Sequence, residues 1–199
     1  MEKEVTIGNI RIGEKPFLFI GGPCVIEGRD ITLRHAEKLA RLTEKLDIPF
    51  IFKSSYDKAN RTSVTSYRGV GIEEGLKILQ EIRSGFGIPV LTDVHSVKEA
   101  RIAAEAIDVL QVPALLSRQT DLIVACGETG KAVNIKKGQF LSPRDMRYAI
   151  DKVESTGNRK ILLTERGTSF GYNTLVNDFR AIPIMQEFGY PVIFDATHS

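Results

Sequence analysis

Lys53, Lys58 and Arg61 stand close together in FKSSYDKANRTS, residues 52–63, where a hydrophobic run empties into cations interleaved with small polar residues. Two ammonium groups, a forked guanidinium and the Asn60 amide between Lys58 and Arg61 suit the oxygens of a phosphate or carboxylate. Read blandly, the same loop is a solvated segment with surface lysines. What argues for more is that reactive side chains recur along the whole chain: Cys24, Lys53, Asp93 with His95, Gln111, Lys136, Glu165 with Arg166, and Asp195 with His198. Each closes or shortly follows an apolar run, except Gln111, which lies inside one. Gathered at one strand edge, Lys53, Lys58, Arg61, Lys136 and Arg166 would repel one another, so they predict an anion among them. The alternative is pairing with Asp57, Asp93 and Glu165. Arg118 is either a further phosphate contact or an exposed residue at a helix start. Cys24 and His198 could share Zn2+ or Fe2+, which accept thiolate and imidazole. Two ligands are too few, and Asp195 is the candidate for an additional one. The bland reading of Cys24 is a small buried hydrophobe. Cys126, inside an expected helix over 120–128, reads as structural, His35 as a solvent-facing helix residue, and His95 as a group that could also serve a helix start.

The elements that must position these groups follow a βα rhythm. After an expected hairpin (5–7 and 10–12, turning at Gly8-Asn9), short apolar runs predict strands at 17–20, 49–52, 89–92, 109–112, 132–135, 160–163 and 191–194, with six helical stretches between them. The first helix shows apolar positions at Leu39, Leu42 and Leu46 after the cap candidate Asp30, and the third opens on Ser96 and Glu99 at capping-box spacing. Ser142-Pro143 starts another, with proline where its missing N–H costs nothing. Such alternation predicts an α/β protein with a parallel sheet: either an open doubly wound sheet or a (β/α)8 TIM barrel lacking its last unit, whose strand ends would meet at one mouth. Gly21-Gly22-Pro23-Cys24 lacks the dinucleotide fingerprint, and no phosphate-binding P-loop motif occurs.

With 199 residues, 42% hydrophobic and 26% charged, the chain can bury one substantial core, and no composition break divides it, so a single domain over 1–199 is expected. A net charge of +2 without a basic block argues against nucleic acid and leaves acidic small molecules open. No stretch approaches the roughly 20 apolar residues of a membrane span, and the N-terminus has no long apolar signal core; a cytoplasmic protein is expected. Two distant cysteines without CxxC spacing argue against a disulfide framework.

Several separate motifs, in order, carry a family resemblance: GGPCVIEG (21–28), FKSSYDKANRTS (52–63), TDVH (92–95), LQVPALLSRQTDL (110–122), NIKKGQFLSP (134–143), LTERGTSFGYN (163–173) and FDATHS (194–199). The chain resembles the 3-deoxy-D-manno-octulosonate 8-phosphate (KDO-8-phosphate) synthases from about residue 17 to 199. The resemblance implies a (β/α)8 barrel with an N-terminal hairpin, commonly a homotetramer. It also implies condensation of phosphoenolpyruvate with D-arabinose 5-phosphate and water, releasing phosphate, on the route to the inner sugar of lipopolysaccharide. The nearest alternative is 3-deoxy-arabino-heptulosonate 7-phosphate synthase, which uses erythrose 4-phosphate and typically carries Lys-Pro-Arg-Thr where this chain has Lys58-Ala59-Asn60-Arg61.

On that resemblance Lys53, Lys136 and Arg166 would hold phosphoenolpyruvate, with Gln111 nearby, and Lys58, Asn60, Arg61 and Thr62 would receive the aldose phosphate. Arg118 would reach a phosphate across a subunit boundary. Lys53, Asp93, His95 and Lys136 form the candidate catalytic set, and Cys24 with His198 the candidate metal ligands for Zn2+ or Fe2+. Family members without metal usually have Asn at the Cys24 position, so cysteine points to the metal-dependent class. The family continues past the seventh strand with an eighth strand and helix that contribute a Glu and an Asp to the metal, whereas this sequence stops at Ser199. The expectation is a barrel incomplete at its C-terminus, with an open edge and half its metal ligands. Two other classes stay in view: a silent fragment that binds phosphate compounds, and a Schiff-base aldolase using Lys53 or Lys136.

Overall fold

The computed structural model describes residues 4–13 and 17–199. The expected hairpin is present as β1 (Val5–Ile7) and β2 (Ile10–Ile12), antiparallel and in the expected register. Val5, Ile7 and Ile10 are buried in the main core, and Gly8 at the turn lies against Pro89 just before the third sheet strand. The hairpin therefore packs at the N-terminal end of the sheet, away from the strand ends that carry the reactive groups.

Seven strands follow: β3 (Phe19–Gly21), β4 (Phe50–Lys53), β5 (Val90–Asp93), β6 (Val109–Val112), β7 (Ala132–Lys136), β8 (Ile161–Glu165) and, after a short antiparallel hairpin of β9 (Thr168–Phe170) and β10 (Thr174–Val176), β11 (Val192–Phe194). The seven are all parallel and lie in sequence order from β3 to β11, a sheet curled into a half-barrel. Sequential neighbours throughout mean that every crossover runs the same way around, the arrangement of a TIM-like barrel rather than of a doubly wound sheet with its reversal of strand order. Residues of β5 to β8 are buried on both faces, as parallel strands covered by helices must be, whereas β3 and β11 at the two sheet edges are only half-buried.

Six helices connect the strands, as the periodicity predicts: α1 (Arg29–Lys45), α2 (Ile72–Phe86), α3 (Val97–Ala106), α4 (Thr120–Glu128), α5 (Met146–Glu154) and α6 (Ala181–Gln186). From α1 to α5 each packs on the next around the outside of the sheet. α2 shows why: Leu76, Leu79 and Ile82 form a buried stripe at helical spacing, and Gly87 ends the helix in the left-handed conformation.

Several local expectations need correction. α1 is capped at Gly28, which leaves Asp30 in the first turn, where its charge meets the positive end of the helix dipole. Leu42 and Leu46 are exposed, and the buried side of α1 is instead Thr32, Ala36 and Thr43, both threonines satisfied by backbone carbonyls one turn back. Ser96 caps α3 by accepting from Glu99 N at 3.2 Å, but Glu99 does not return the bond to Ser96; its carboxylate goes to His95 and Tyr56. Ser142 and Asp145 do form a reciprocal capping box, around a short 3-10 turn that leads into α5. The hairpin of β9 and β10 was not expected; its strands are only three residues long and mostly exposed, so no burial alternation marks them.

Candidate functional site

The strand ends come together as barrel logic requires. Lys53, Asp93, Lys136 and Glu165 are the last residues of β4, β5, β7 and β8, each strand running one or two residues further than its apolar run. Gly22 lets the segment after β3 cross over this end: a Cβ there would stand 2.2 Å from the Lys53 carbonyl oxygen, so only glycine fits. The crossing is fastened by Ile26 N donating to Ser55 O at 2.9 Å, and it delivers Cys24 to the site.

Two polar groups meet at this edge. In the first, Asp93 accepts hydrogen bonds from Ser55 Oγ and Gln111 Nε2 and lies 3.3 Å from Lys58 Nζ, which also donates to Ser55 at 2.8 Å. Burial alone would raise the Asp93 carboxyl; Lys53, Lys58 and the two hydrogen bonds outweigh it and hold the group well below the usual carboxylate range. Lys53 is pulled down, first by burial and then by its fellow cations Lys58 and Lys136, with Asp93 working in the other direction. In the second group Lys136 Nζ pairs with Asp195, which also accepts from His198 Nδ1 at 3.0 Å, while His198 Nε2 lies 3.6 Å from Cys24 Sγ. The His198 contact pulls the Cys24 thiol down to about 6; burial opposes this, and Lys58 and Lys53 assist it. His198 is raised, chiefly by Asp195 and then by Cys24. The two shifts run in opposite directions, Cys24 toward its thiolate and His198 toward its charged form. Arg166 reaches the same corner by donating to the His198 carbonyl at 2.8 Å.

Lys53, Lys58, Gln111, Asp93, Lys136, Arg166, Cys24 and His198 are thus brought to one edge. Asn60, Arg61 and Thr62 lie on the exposed loop after β4, with Arg61 Nε donating to Tyr67 O at 3.1 Å. Arg118 is exposed on the turn before α4, where its carbonyl accepts from Lys152. His95 is turned away from the cations: its Nδ1 and backbone N each donate to Glu99 Oε2 at 3.0 Å, and Tyr56 OH donates to the same oxygen at 2.7 Å. Cys126 is buried in α4, and burial pushes its thiol up to about 12. His35 is exposed, its Nδ1 2.7 Å from the Ile31 carbonyl oxygen within α1. Of the ion pairs weighed against an anion site, Lys58 with Asp93 forms, but Asp57 takes Arg68 and Glu165 takes the fully buried Lys137.

Sequence reasoning passed over Ser55, Asn134, Thr164 and Lys137. Asn134 Nδ2 donates to Gln111 Oε1 at 2.9 Å, and Thr164 Oγ1 donates to Asn134 Oδ1 at 2.7 Å, extending the Asp93 network across four strands, β5 to β8. The signal was present: Asn134 lies two residues before Lys136, on the same face of β7 by strand alternation.

Residues 2–199 match the model of the DAHP synthetase I family. The chain belongs to that family. Within it, the chain is 66% identical to the 2-dehydro-3-deoxyphosphooctonate aldolase of Syntrophobacter fumaroxidans over 94% of its own length and 65% of that relative. It is 57% identical to the enzyme of that name from Trichlorobacter lovleyi, over the whole chain and 74% of the relative, and 61% identical to that from Granulibacter bethesdensis, over 98% and 70%. The chain thus spans about two thirds to three quarters of these relatives. 2-Dehydro-3-deoxyphosphooctonate aldolase is another name for KDO-8-phosphate synthase, so this DAHP synthetase I family member groups with the octulosonate enzymes and not with the heptulosonate alternative. Among the described residues no cluster of three or more Cys, His, Asp or Glu stands ready to hold a metal, and no helix is long and apolar enough to cross a membrane.

Proposed function

We propose that the protein condenses phosphoenolpyruvate with D-arabinose 5-phosphate and water to give 3-deoxy-D-manno-octulosonate 8-phosphate and inorganic phosphate. The observation that carries this reading is the cationic edge itself: Lys58 and Lys136 both act on Lys53 across it, while Lys58 pairs with Asp93 and Lys136 with Asp195. Two polyanions repel, so bringing them to bonding distance requires a surface that compensates both charges and fixes their orientation. In this reading Lys53, Lys136 and Arg166 hold phosphoenolpyruvate against Gln111. Lys58, Asn60, Arg61 and Thr62 take the aldose phosphate on the outer loop, and Arg118 contributes from a neighbouring subunit of a tetramer. C3 of phosphoenolpyruvate bonds to the aldehyde carbon, whose oxygen takes a proton; water adds its oxygen at C2, and the C2–O bond to phosphate then breaks.

Cys24 and His198 fit a divalent ion by chemistry. A depressed thiol faces an imidazole whose far nitrogen is held by Asp195, the arrangement by which a carboxylate orients a metal-binding histidine. Asp195 is thereby a support for His198 and Lys136 rather than the third ligand. Zn2+ or Fe2+ bound there would supply Lewis-acid polarisation of an oxygen on the aldehyde or of water. The same reading makes the seven-stranded sheet part of an eight-stranded barrel and the protein cytoplasmic.

The test is phosphate release that requires both substrates. A second reading draws on one observation, the burial that pulls Lys53 toward its neutral form: a Schiff base at this lysine. Borohydride with a keto substrate would trap that adduct, and an unmodified mass after treatment removes the idea.

A further inference from the structure

The hydrogen bonds across the sheet can be ordered by chemistry alone. An ammonium only donates, so Ser55 Oγ accepts from Lys58 and gives its own hydrogen to Asp93. From the other side, an ionised Asp93 has no proton to offer, which forces Gln111 to present Nε2 to it. Gln111 Oε1 then faces Asn134, which must answer with Nδ2, and Asn134 Oδ1 is left to accept from the Thr164 hydroxyl. Every link donates toward Asp93, and turning over either amide would set oxygen against oxygen. Asp93, Gln111, Asn134, Thr164 and Ser55 are all buried, so no bulk water replaces a lost partner.

We infer that Asn134 and Thr164 are positioning residues that fix the amide of Gln111 and so keep Asp93 an ionised, acceptor-only counter-ion for the Lys53 and Lys58 ammoniums. The inference rests on reading this edge as an anion cradle. Its consequence is a division of labour: Asp93 gives up no proton in the reaction, and instead favours the charged form of Lys53 against the burial and the cations that oppose it. The groups facing Asp93 are Lys53 from β4, Ser55, Tyr56 and Lys58 from the loop that follows, and Gln111 from β6; Lys136 of β7 acts on Lys53.

The test uses the full chain carrying labelled aspartate carboxyls and glutamine side-chain amides, as wild type and as Asn134→Asp, Thr164→Val and Thr164→Ser. Asn134→Asp replaces a donor by an acceptor at constant size. Gln111 must then turn its oxygen to Asp93, and the Asp93 carboxyl is expected to titrate at least one pH unit higher, with a changed Gln111 amide resonance. Thr164→Val removes the last donor and should speed hydrogen exchange of the Gln111 and Asn134 amides at least tenfold, whereas Thr164→Ser should stay within about twofold of wild type. A folded Asn134→Asp protein with an unmoved Asp93 titration and an unchanged Gln111 amide overturns the inference. If that variant does not fold, equal Gln111 exchange in Thr164→Val and Thr164→Ser overturns it, and a tenfold difference supports it. Phosphate release is recorded in parallel on wild type extended to the length of its relatives: its absence there would defeat the synthase reading, while the carboxyl titration and amide exchange still decide this one.

Discussion

Replacing Lys137 by methionine removes a cation that has no exposure at all and is therefore a severe perturbation of a residue outside the anion cradle. Its Nζ donates to Gly167 O at 3.0 Å and Thr168 Oγ1 at 3.1 Å, reaches the Leu141 and Gly138 carbonyls at 3.4 and 3.5 Å, and lies 3.5 Å from Glu165 Oε1. Without it, Glu165 is a buried carboxylate whose Oε1 keeps only the Gly167 N–H and whose Oε2 has no partner. Breaking one side of a buried ion pair costs about 3–5 kcal/mol because the other charge is left uncompensated. At about 2–4 °C per kcal/mol for a chain of this size, the thermal midpoint should fall by roughly 6–20 °C. Urea unfolding monitored by circular dichroism gives the free energy directly, and Lys137→Met with Glu165→Gln completes a double-mutant cycle. The double variant should be more stable than Lys137→Met alone, since no buried charge remains. A single variant costing less than about 1 kcal/mol, or a double variant no better than it, would refute this reasoning. The same residue matters to the site, because Lys137 holds both neighbours of Arg166 in place.

Three further outcomes are expected. Asp93 titrates below its unfolded value, so its contribution is present above about pH 4 and is lost as pH falls through the folded value. Urea midpoints of wild type should drop on acidification below about pH 5, and Asp93→Asn should flatten that slope by on the order of 2 kcal/mol. In a chain extended to the length of its relatives, Co2+ should give a near-ultraviolet thiolate band that Cys24→Ser abolishes and Cys126→Ser leaves intact; a band that survives Cys24→Ser removes Cys24 from the metal. Arg61→Ala should raise KM for the aldose phosphate about tenfold or more while changing that for phosphoenolpyruvate less than twofold, in keeping with a charge-assisted contact of about 1.5–3 kcal/mol on the outer loop. Equal effects on both substrates would contradict the division between loop and strand ends.

Much of the framework was legible because parallel strands and their helices write themselves as period: all seven sheet strands lie within a few residues of where the apolar runs put them, with six helices along the chain as expected. Lys53, Asp93 and Lys136 were legible as well, since a charged residue ending an apolar run has few other places to go than a strand end. Partners across the sheet were not. That Gln111 stands opposite both Asp93 and Asn134 depends on strand register, which no local pattern encodes. Lys137 drew no reading, because its partners, Leu141 O, Gly167 O and Thr168 Oγ1, lie on the 138–141 loop and at the start of the β9–β10 hairpin, neither marked by periodicity. α1 misled for the opposite reason: Leu42 and Leu46 keep helical spacing yet stay exposed, while two threonines that satisfy their own hydroxyls fill the buried side.

Phosphate release from phosphoenolpyruvate, measured with D-arabinose 5-phosphate and in parallel with erythrose 4-phosphate, tests the central claim most directly. Each arm is run with Zn2+ or Fe2+ and again after chelation, on this chain and on one extended to the length of its relatives. The account predicts release with arabinose 5-phosphate only, lost on chelation and restored by the metal, in the extended chain. Release with erythrose 4-phosphate instead, or none with either aldose from a folded extended chain, would contradict it.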